Sequence, residues 1–319
     1  MRDRLFFMRN VPRGTFCTED CCLLRFCACC AAPKRAFHDS GELTENLRSN
    51  NYDVIITCNS QGSMIKFKVF VVRYGGCPML LMKEMNFVDY RAEVAKTRAI
   101  ILPVGAFEVW GPHLPVGADT LVAEEIANRI SEKIGWVVGP SVPVGYSESL
   151  FAPEGGTITV RPESLRNYLY DIVESLAETG VKRFCFVGPH LGNVPIITEI
   201  ATHLRRTRNV KCCLIDWWRI IQPICKGILK YDGRPAHAHA AEAGTSTFMY
   251  LRPDLVKAER LKDVGLAANE YPDIPQFAPF VETYPEAHVG DPTPASAEKG
   301  EQIVGKTVER VVEFLKQWH

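Results

Sequence analysis

The chain has 319 residues, 46% of them hydrophobic, enough to build a substantial core in one large domain or two. Lys plus Arg and Asp plus Glu each total 37, so the formal charge is zero, which argues against nucleic acid or a membrane surface recruited by bulk charge. No uninterrupted apolar run reaches about 18 residues, so no transmembrane helix is expected.

Residues 1–80 read unlike the rest. The start, MRDRLFFMRN, is basic and apolar, but no small-residue cleavage site follows an apolar core, so it does not read as a signal peptide. Seven of the twelve cysteines lie before residue 60, mostly in CTEDCCLLRFCACC, without the paired CxxC spacing and downstream His of a zinc module. The overall cysteine pattern is not a disulfide scaffold and points to a reducing cytoplasm. NYDVIITCNS and MIKFKVFVVRYGG each read as a strand. The segment is set aside as an N-terminal appendage of unknown role. Its disorder, and a native start near Met82 or Met85, are the alternatives.

From residue 82 to 319 the pattern is regular. A short helix opens at Asn86, and the apolar run 99–104 reads as a buried strand bounded by Gly105. LVAEEIANRISEKIG has helical spacing with Gly135 as its stop. WVVGPSVPVGY is a second strand and turn, and SESLFAPEGGTITV a loop entering a short strand. Pro162 and Glu163 start a helix closed by Gly180, and RFCFVG is a third buried strand. Asn193-Val194-Pro195 leads into another helix. VKCCLIDWW is a fourth strand, and the C-terminal GDPTPASAEKGEQIVGKTVERVVEFLK is a loop and an amphipathic helix. Alternating strands and helices predict an α/β protein with a mostly parallel sheet covered on both faces, a three-layer α/β/α sandwich.

Three stretches carry chemistry. Glu108, His113 and Asp119 follow the first strand among Gly and Pro residues. His190, Gly192 and Asn193 follow the third. Open α/β sheets place their sites beyond the carboxyl ends of strands, where two such loops can face each other. The third stretch is AHAHAAEAGTS, where a helix would put His239 and Glu242 on one face. Carboxylates and imidazoles in this arrangement suggest metal-assisted hydrolysis; the plainer readings are a capping Asp and a structural histidine.

Taken in order, these stretches resemble the creatininase (creatinine amidohydrolase) family. Its pattern runs close to E-x-H-G-P-H-L-P, N-G-H-G-G-N, H-A-G-E-x-x-T-S and G-D-P-x-x-A-x-x-x-K-G. This chain has Glu108-Val109-Trp110-Gly111-Pro112-His113-Leu114-Pro115, Gly188-Pro189-His190-Leu191-Gly192-Asn193, His239-Ala240-Ala241-Glu242 with Thr245-Ser246, and Gly290-Asp291-Pro292 with Lys299-Gly300. Tyr146–Thr157 is similar to the family's Y-G-x-S…F-P-G-T stretch. The resemblance covers about 82–319. It implies an α/β/α sandwich, a homo-oligomer, and a zinc, manganese or iron centre held by Glu108, Asp119, His190 and Glu242. His239, Glu242 and His113 are the implied acid, base or oxyanion-binding residues, and Trp110, Tyr146 and Asn193 the implied substrate pocket. Trp110 stands where the family's second-metal histidine is expected, and an indole nitrogen only donates, so one ion is expected rather than two.

The resemblance implies water attack on a metal-polarised carbonyl of a small polar cyclic substrate, breaking the C–N bond of a cyclic amide or formamide. Two alternatives accompany it. One is C–C hydrolysis of a cyclic diketone such as a dehydro-inosose in inositol breakdown. The other is an inactive relative that binds a small ligand.

Overall fold

The computed structural model describes residues 79–318 apart from 272 and 275, together with the backbone of 34–37, 43–49, 52–61 and 64–73. The chain divides into two units, Met1–Gly75 and Gly76–His319. The cysteine cluster at 17–30 lies outside the described residues.

In the first unit, β1 (Lys34–Phe37), β2 (Leu43–Ser49), β3 (Tyr52–Gln61) and β4 (Met64–Arg73) form an antiparallel sheet in sequential order. β3 and β4 coincide with the two strands expected from their runs of Val, Ile, Phe and Tyr.

The second unit alternates as its hydrophobic periods require. Its helix α1 (Phe87–Thr97) starts where the Asn86 side chain accepts the Val88 and Asp89 N–H groups. Then follow β5 (Ala99–Pro103), α2 (Ala118–Ile134), β6 (Val137–Val138), α3 (Pro162–Glu178), β7 (Arg183–Gly188), α4 (Val194–Thr207) and β8 (Lys211–Asp216). The chain ends through α5 (Trp217–Ile224), α6 (Arg234–His237), α7 (Glu242–Leu251), α8 (Phe280–Thr283) and α9 (Ala297–Gln317). The four strands lie in the order β6-β5-β7-β8, all parallel.

Strand alternation sends side chains to two separate cores. Ile100, Leu102, Phe184 and Phe186 pack with Leu165 and Leu169 of α3 and Ile197 and Ile200 of α4. Ile101, Cys185 and Val187 pack with Val122 and Ile126 of α2 and Val304, Val308 and Val311 of α9. Each such fully buried side chain contributes about 1.5–3 kcal/mol over an exposed one. The result is the three-layer α/β/α sandwich.

Three expectations change. The second strand shrinks to two residues, because Gly139 and Pro140 follow at once and Pro has no N–H for the ladder. TITV forms only an isolated bridge, Ile158 to Phe107. Trp217 and Trp218 leave the fourth strand and open α5.

The strand order also fixes where a site can form. From β5 the chain crosses to β6 on one side, and from β7 to β8 on the other. The crevice beyond the carboxyl ends of β5 and β7 is therefore the switch point, where open α/β sheets bind ligands.

Candidate metal centre

Glu108 stands in the loop leaving β5, Asp119 on the first turn of α2, and His190 just past β7. One ligand atom from each lies within 4.8 Å of the others, and all three residues are buried. The loops hold because small residues allow close approach. A Cβ on Gly105 would overlap Thr120 beside Asp119, and one on Gly192 would overlap the Tyr146 carbonyl.

His190 is oriented from behind. Its Nε2 lies 2.7 Å from the Tyr146 carbonyl and 3.2 Å from Ser147 Oγ. A carbonyl only accepts, so Nε2 carries a proton and Nδ1 is the nitrogen turned to the carboxylates, as in many metal-binding histidines. Nδ1 lies 3.0 Å from Glu108 Oε2 and 3.4 Å from Asp119 Oδ2. Glu108 Oε2 is nonetheless buried without a well-formed hydrogen bond. A buried carboxylate oxygen left unsatisfied beside an imidazole nitrogen and a second carboxylate fits a small divalent cation of the zinc or manganese type.

Indoles contact three of the four carboxylate oxygens, among them the Asp119 Oδ2 that also faces His190. Trp110 Nε1 lies 3.2 Å from Glu108 Oε1 and 3.3 Å from Asp119 Oδ2. Trp218 Nε1 lies 3.3 Å from Asp119 Oδ1. The two indoles pack at 5.2 Å between centroids, and the His239 ring sits 4.5 Å from Trp110. Sequence reasoning missed Trp218 by assigning it to a strand, although it follows a parallel strand's carboxyl end just as His190 does.

The charges in this cluster depend on one another. Burial raises the Glu108 carboxyl, but contact with His190 outweighs it and holds Glu108 below its ordinary value. Burial and the neighbouring Glu108 charge push Asp119 up to about 7. Burial lowers His190, but Asp119 and Glu108 outweigh it and raise it well above an ordinary histidine. Two carboxylates and one imidazole thus compete for protons in a dry space, a condition that a cation relieves.

A cavity of about 680 Å³ opens onto this cluster. Glu108, Trp110, His190, Trp218 and His239 line it. His239 Nε2 is 2.7 Å from the Val109 carbonyl, so its bare Nδ1 lies 3.9 Å from Glu108 Oε1. Burial lowers the His239 pKa, keeping that nitrogen unprotonated.

Four expected residues stand elsewhere. Glu242 does not join the metal cluster: Lys299 Nζ is 2.5 Å from its carboxylate and the Lys230 N–H 3.0 Å away. His239 and Glu242 do not share a helix face, because Ala240 turns the chain at φ 56° and α7 begins only at Glu242. His113 is fully buried away from the cavity, with Nε2 at 3.0 Å from Thr245 Oγ1 and 3.2 Å from the Ala240 carbonyl. It ties the first loop to α7. Tyr146 and Asn193 do not line the cavity; Asn193 Oδ1 accepts the Tyr146 N–H and Nδ2 donates to the Gly105 carbonyl. They brace the two loops that present His190 and Glu108.

A family model described as creatinine amidohydrolase matches residues 83–315. The chain belongs to the creatininase family. The creatinine amidohydrolase of Pseudomonas putida is 28% identical over 256 residues, 73% of this chain and 95% of that protein. A mycofactocin precursor peptide peptidase of Mycobacterium tuberculosis is 29% identical, covering 69% of this chain and 85% of its own. A 3-dehydro-scyllo-inosose hydrolase of Thermotoga maritima is 26% identical, covering 74% and 81%. A crystal structure of creatinine amidohydrolase superposes with a TM-score of 0.68 at 27% identity, over 76% of this chain and 98% of that one. A manganese creatininase gives 0.67 at 25% identity over 75% and 98%. A mutant creatininase of Zn–Zn type gives 0.67 at 25% over 74% and 97%. All the named relatives are hydrolases, as expected of this chain. A peptide as substrate was outside the classes weighed from the sequence.

Proposed function

We propose that this creatininase-family hydrolase is metal-dependent, and that Glu108, Asp119 and His190 hold one divalent ion, zinc, manganese or iron, for hydrolysis of an amide C–N bond. The convergence of those three side chains at the floor of one cavity carries the reading. Such an ion, when bound, polarises a carbonyl and lowers the pKa of a coordinated water toward about 7.

The chain's own residues supply the remaining work. Tyr146 and Ser147 fix the His190 ring. Trp110 and Trp218 hold three carboxylate oxygens by N–H donation and close the flank on which a second ion would need them. That geometry supports a count of one. His239 Nδ1 is an uncommitted base facing the cavity, suited to accept a proton from water and return it to a leaving nitrogen. The Trp110 face walls the pocket and can stack on a planar amide.

Two relatives with C–N hydrolase names support amides over diketones as the first choice. The inosose hydrolase relative supports carbonyl attack in a cyclic polyol ketone as the second. Exposed Tyr271, Ile274 and Phe277, in the segment that brings Asn269 and Gln276 to the cavity, support a homo-oligomer. Free Cys185, Cys212, Cys213 and Cys225 support a reducing, cytoplasmic setting.

The test is elemental analysis joined to turnover on panels of cyclic amides, formamides, short peptides and keto-inositols. One ion per chain and C–N cleavage that stops on chelation are expected. His190→Ala should lose both ion and turnover. Full metal content in that variant would refute the ligand assignment. Cleavage of keto-inositols alone would select the C–C reading, and a metal-free, inert protein the ligand-binding one.

A further inference from the structure

The lining of the cavity carries an uncommitted pair. Arg234 and His237, at the two ends of the short helix α6, both line the cavity. Spaced i and i+3, they share one side of that turn. The Arg234 side chain is exposed and makes no ion pair or hydrogen bond with any described residue. His237 Nδ1 is buried and has no hydrogen-bond partner. A buried orphan is tolerated better as an acceptor than as a donor, so the ring proton belongs on Nε2. The lining therefore offers a guanidinium fork and an imidazole N–H, both donors.

The cavity lining carries groups of opposite character. Glu108 and His239 line the cavity together with Arg234 and His237, and Trp218, Phe280 and Tyr284 are among the remaining lining. Two acidic groups act on His237, Glu242 and Asp232; Glu242 is already paired to Lys299, and Asp232 lies two residues before Arg234. At about 680 Å³ the cavity falls within the range of drug-sized ligands, larger than a small heterocycle fills.

We propose that the substrate is an amide bearing a carboxylate, and that Arg234 with His237 Nε2 binds this carboxylate while the scissile amide lies over the metal cluster. The inference rests on the amide-hydrolase reading above and names its substrate class. Planar, bidentate recognition of a carboxylate is what an unpaired arginine provides and a lysine does not. The residues act on binding and position. N-acyl amino acids, lactam carboxylates and peptide C-termini all meet the requirement.

Matched pairs test it: N-formylglycine against N-formylglycinamide, pyroglutamate against its amide, and a dipeptide against its C-terminal amide. The acid of each cleaved pair should show a KM at least tenfold below that of its amide. Arg234→Gln should raise the acid's KM at least tenfold and abolish the preference, with Arg234→Lys restoring part of it. Turnover without preference, or a preference that survives Arg234→Gln, overturns the subsite and leaves the hydrolase reading intact.

A second measurement stands apart from catalysis. Calorimetry on EDTA-treated wild type should detect N-acetylglycine at least tenfold more tightly than N-acetylglycinamide, and Arg234→Gln of unchanged thermal midpoint should lose the difference. Equal binding of the two probes, or no binding of N-acetylglycine, overturns the proposal. Discrimination by a protein that hydrolyses nothing keeps the subsite and overturns the hydrolase reading instead.

Discussion

Trp110 decides more than any other single side chain. Where a histidine would lend a lone pair, its indole offers a hydrogen, and that hydrogen goes to Glu108 Oε1 and Asp119 Oδ2. A donor and a cation cannot occupy the same face of a carboxylate. Trp110→His should therefore raise the metal content from one ion per chain toward two, with the added ion bound more weakly, as read by elemental analysis after dialysis. An unchanged count would show that Trp218 alone suffices to close that flank. Glu242 is the contrasting residue. Glu242→Gln should lower stability on the order of 2 kcal/mol by stranding Lys299, yet leave metal content as it was. Loss of the ion in that variant would return Glu242 to the ligand set.

Among the elements, α7 and α9 are the most closely fitted. A Cβ on Gly300 would overlap the Ser246 carbonyl and crowd Tyr250, so the two helices meet backbone to side. Gly300→Ala should cost about 1–3 kcal/mol, measured as a lower thermal midpoint with an unchanged metal count. Much of this layer was legible in advance. β5 and β7 showed as unbroken apolar runs because both their faces are covered, and α2 and α9 showed their 3.6-residue period. The loop ligands Glu108, Asp119 and His190 were legible because strand ends face one crevice. What failed to show depended on turns. No propensity announced that Ala240 would adopt φ 56° and detach His239 from the helix of Glu242. Nor did local pattern reveal that Lys299, 57 residues on, would take the Glu242 carboxylate. His113 looked like chemistry because its neighbours were Gly and Pro, but its partner Thr245 lies on a distant helix.

At the scale of the whole molecule, His113 links stability to pH. Burial and the nearby His288 lower it from 6.5 to about 4. The unfolded chain then binds the proton more readily than the folded one. Its contribution is fully present above about pH 6.5 and is lost as pH falls toward 4, up to about 3 kcal/mol at 1.36 kcal/mol per unit. Unfolding midpoints taken across that window should fall with acid, and less steeply in His113→Gln. Identical slopes would assign the acid sensitivity to other groups. The seam between β5 and α2 has a different kind of reach. Because Gly105 lies against Thr120 with no room for a methyl group, one added carbon there would tilt the first turn of α2 and carry Asp119 out of register with His190. A saturation screen scored on turnover would rank Gly105 beside the ligands themselves, though it has no side chain, touches no solute and donates nothing to the reaction.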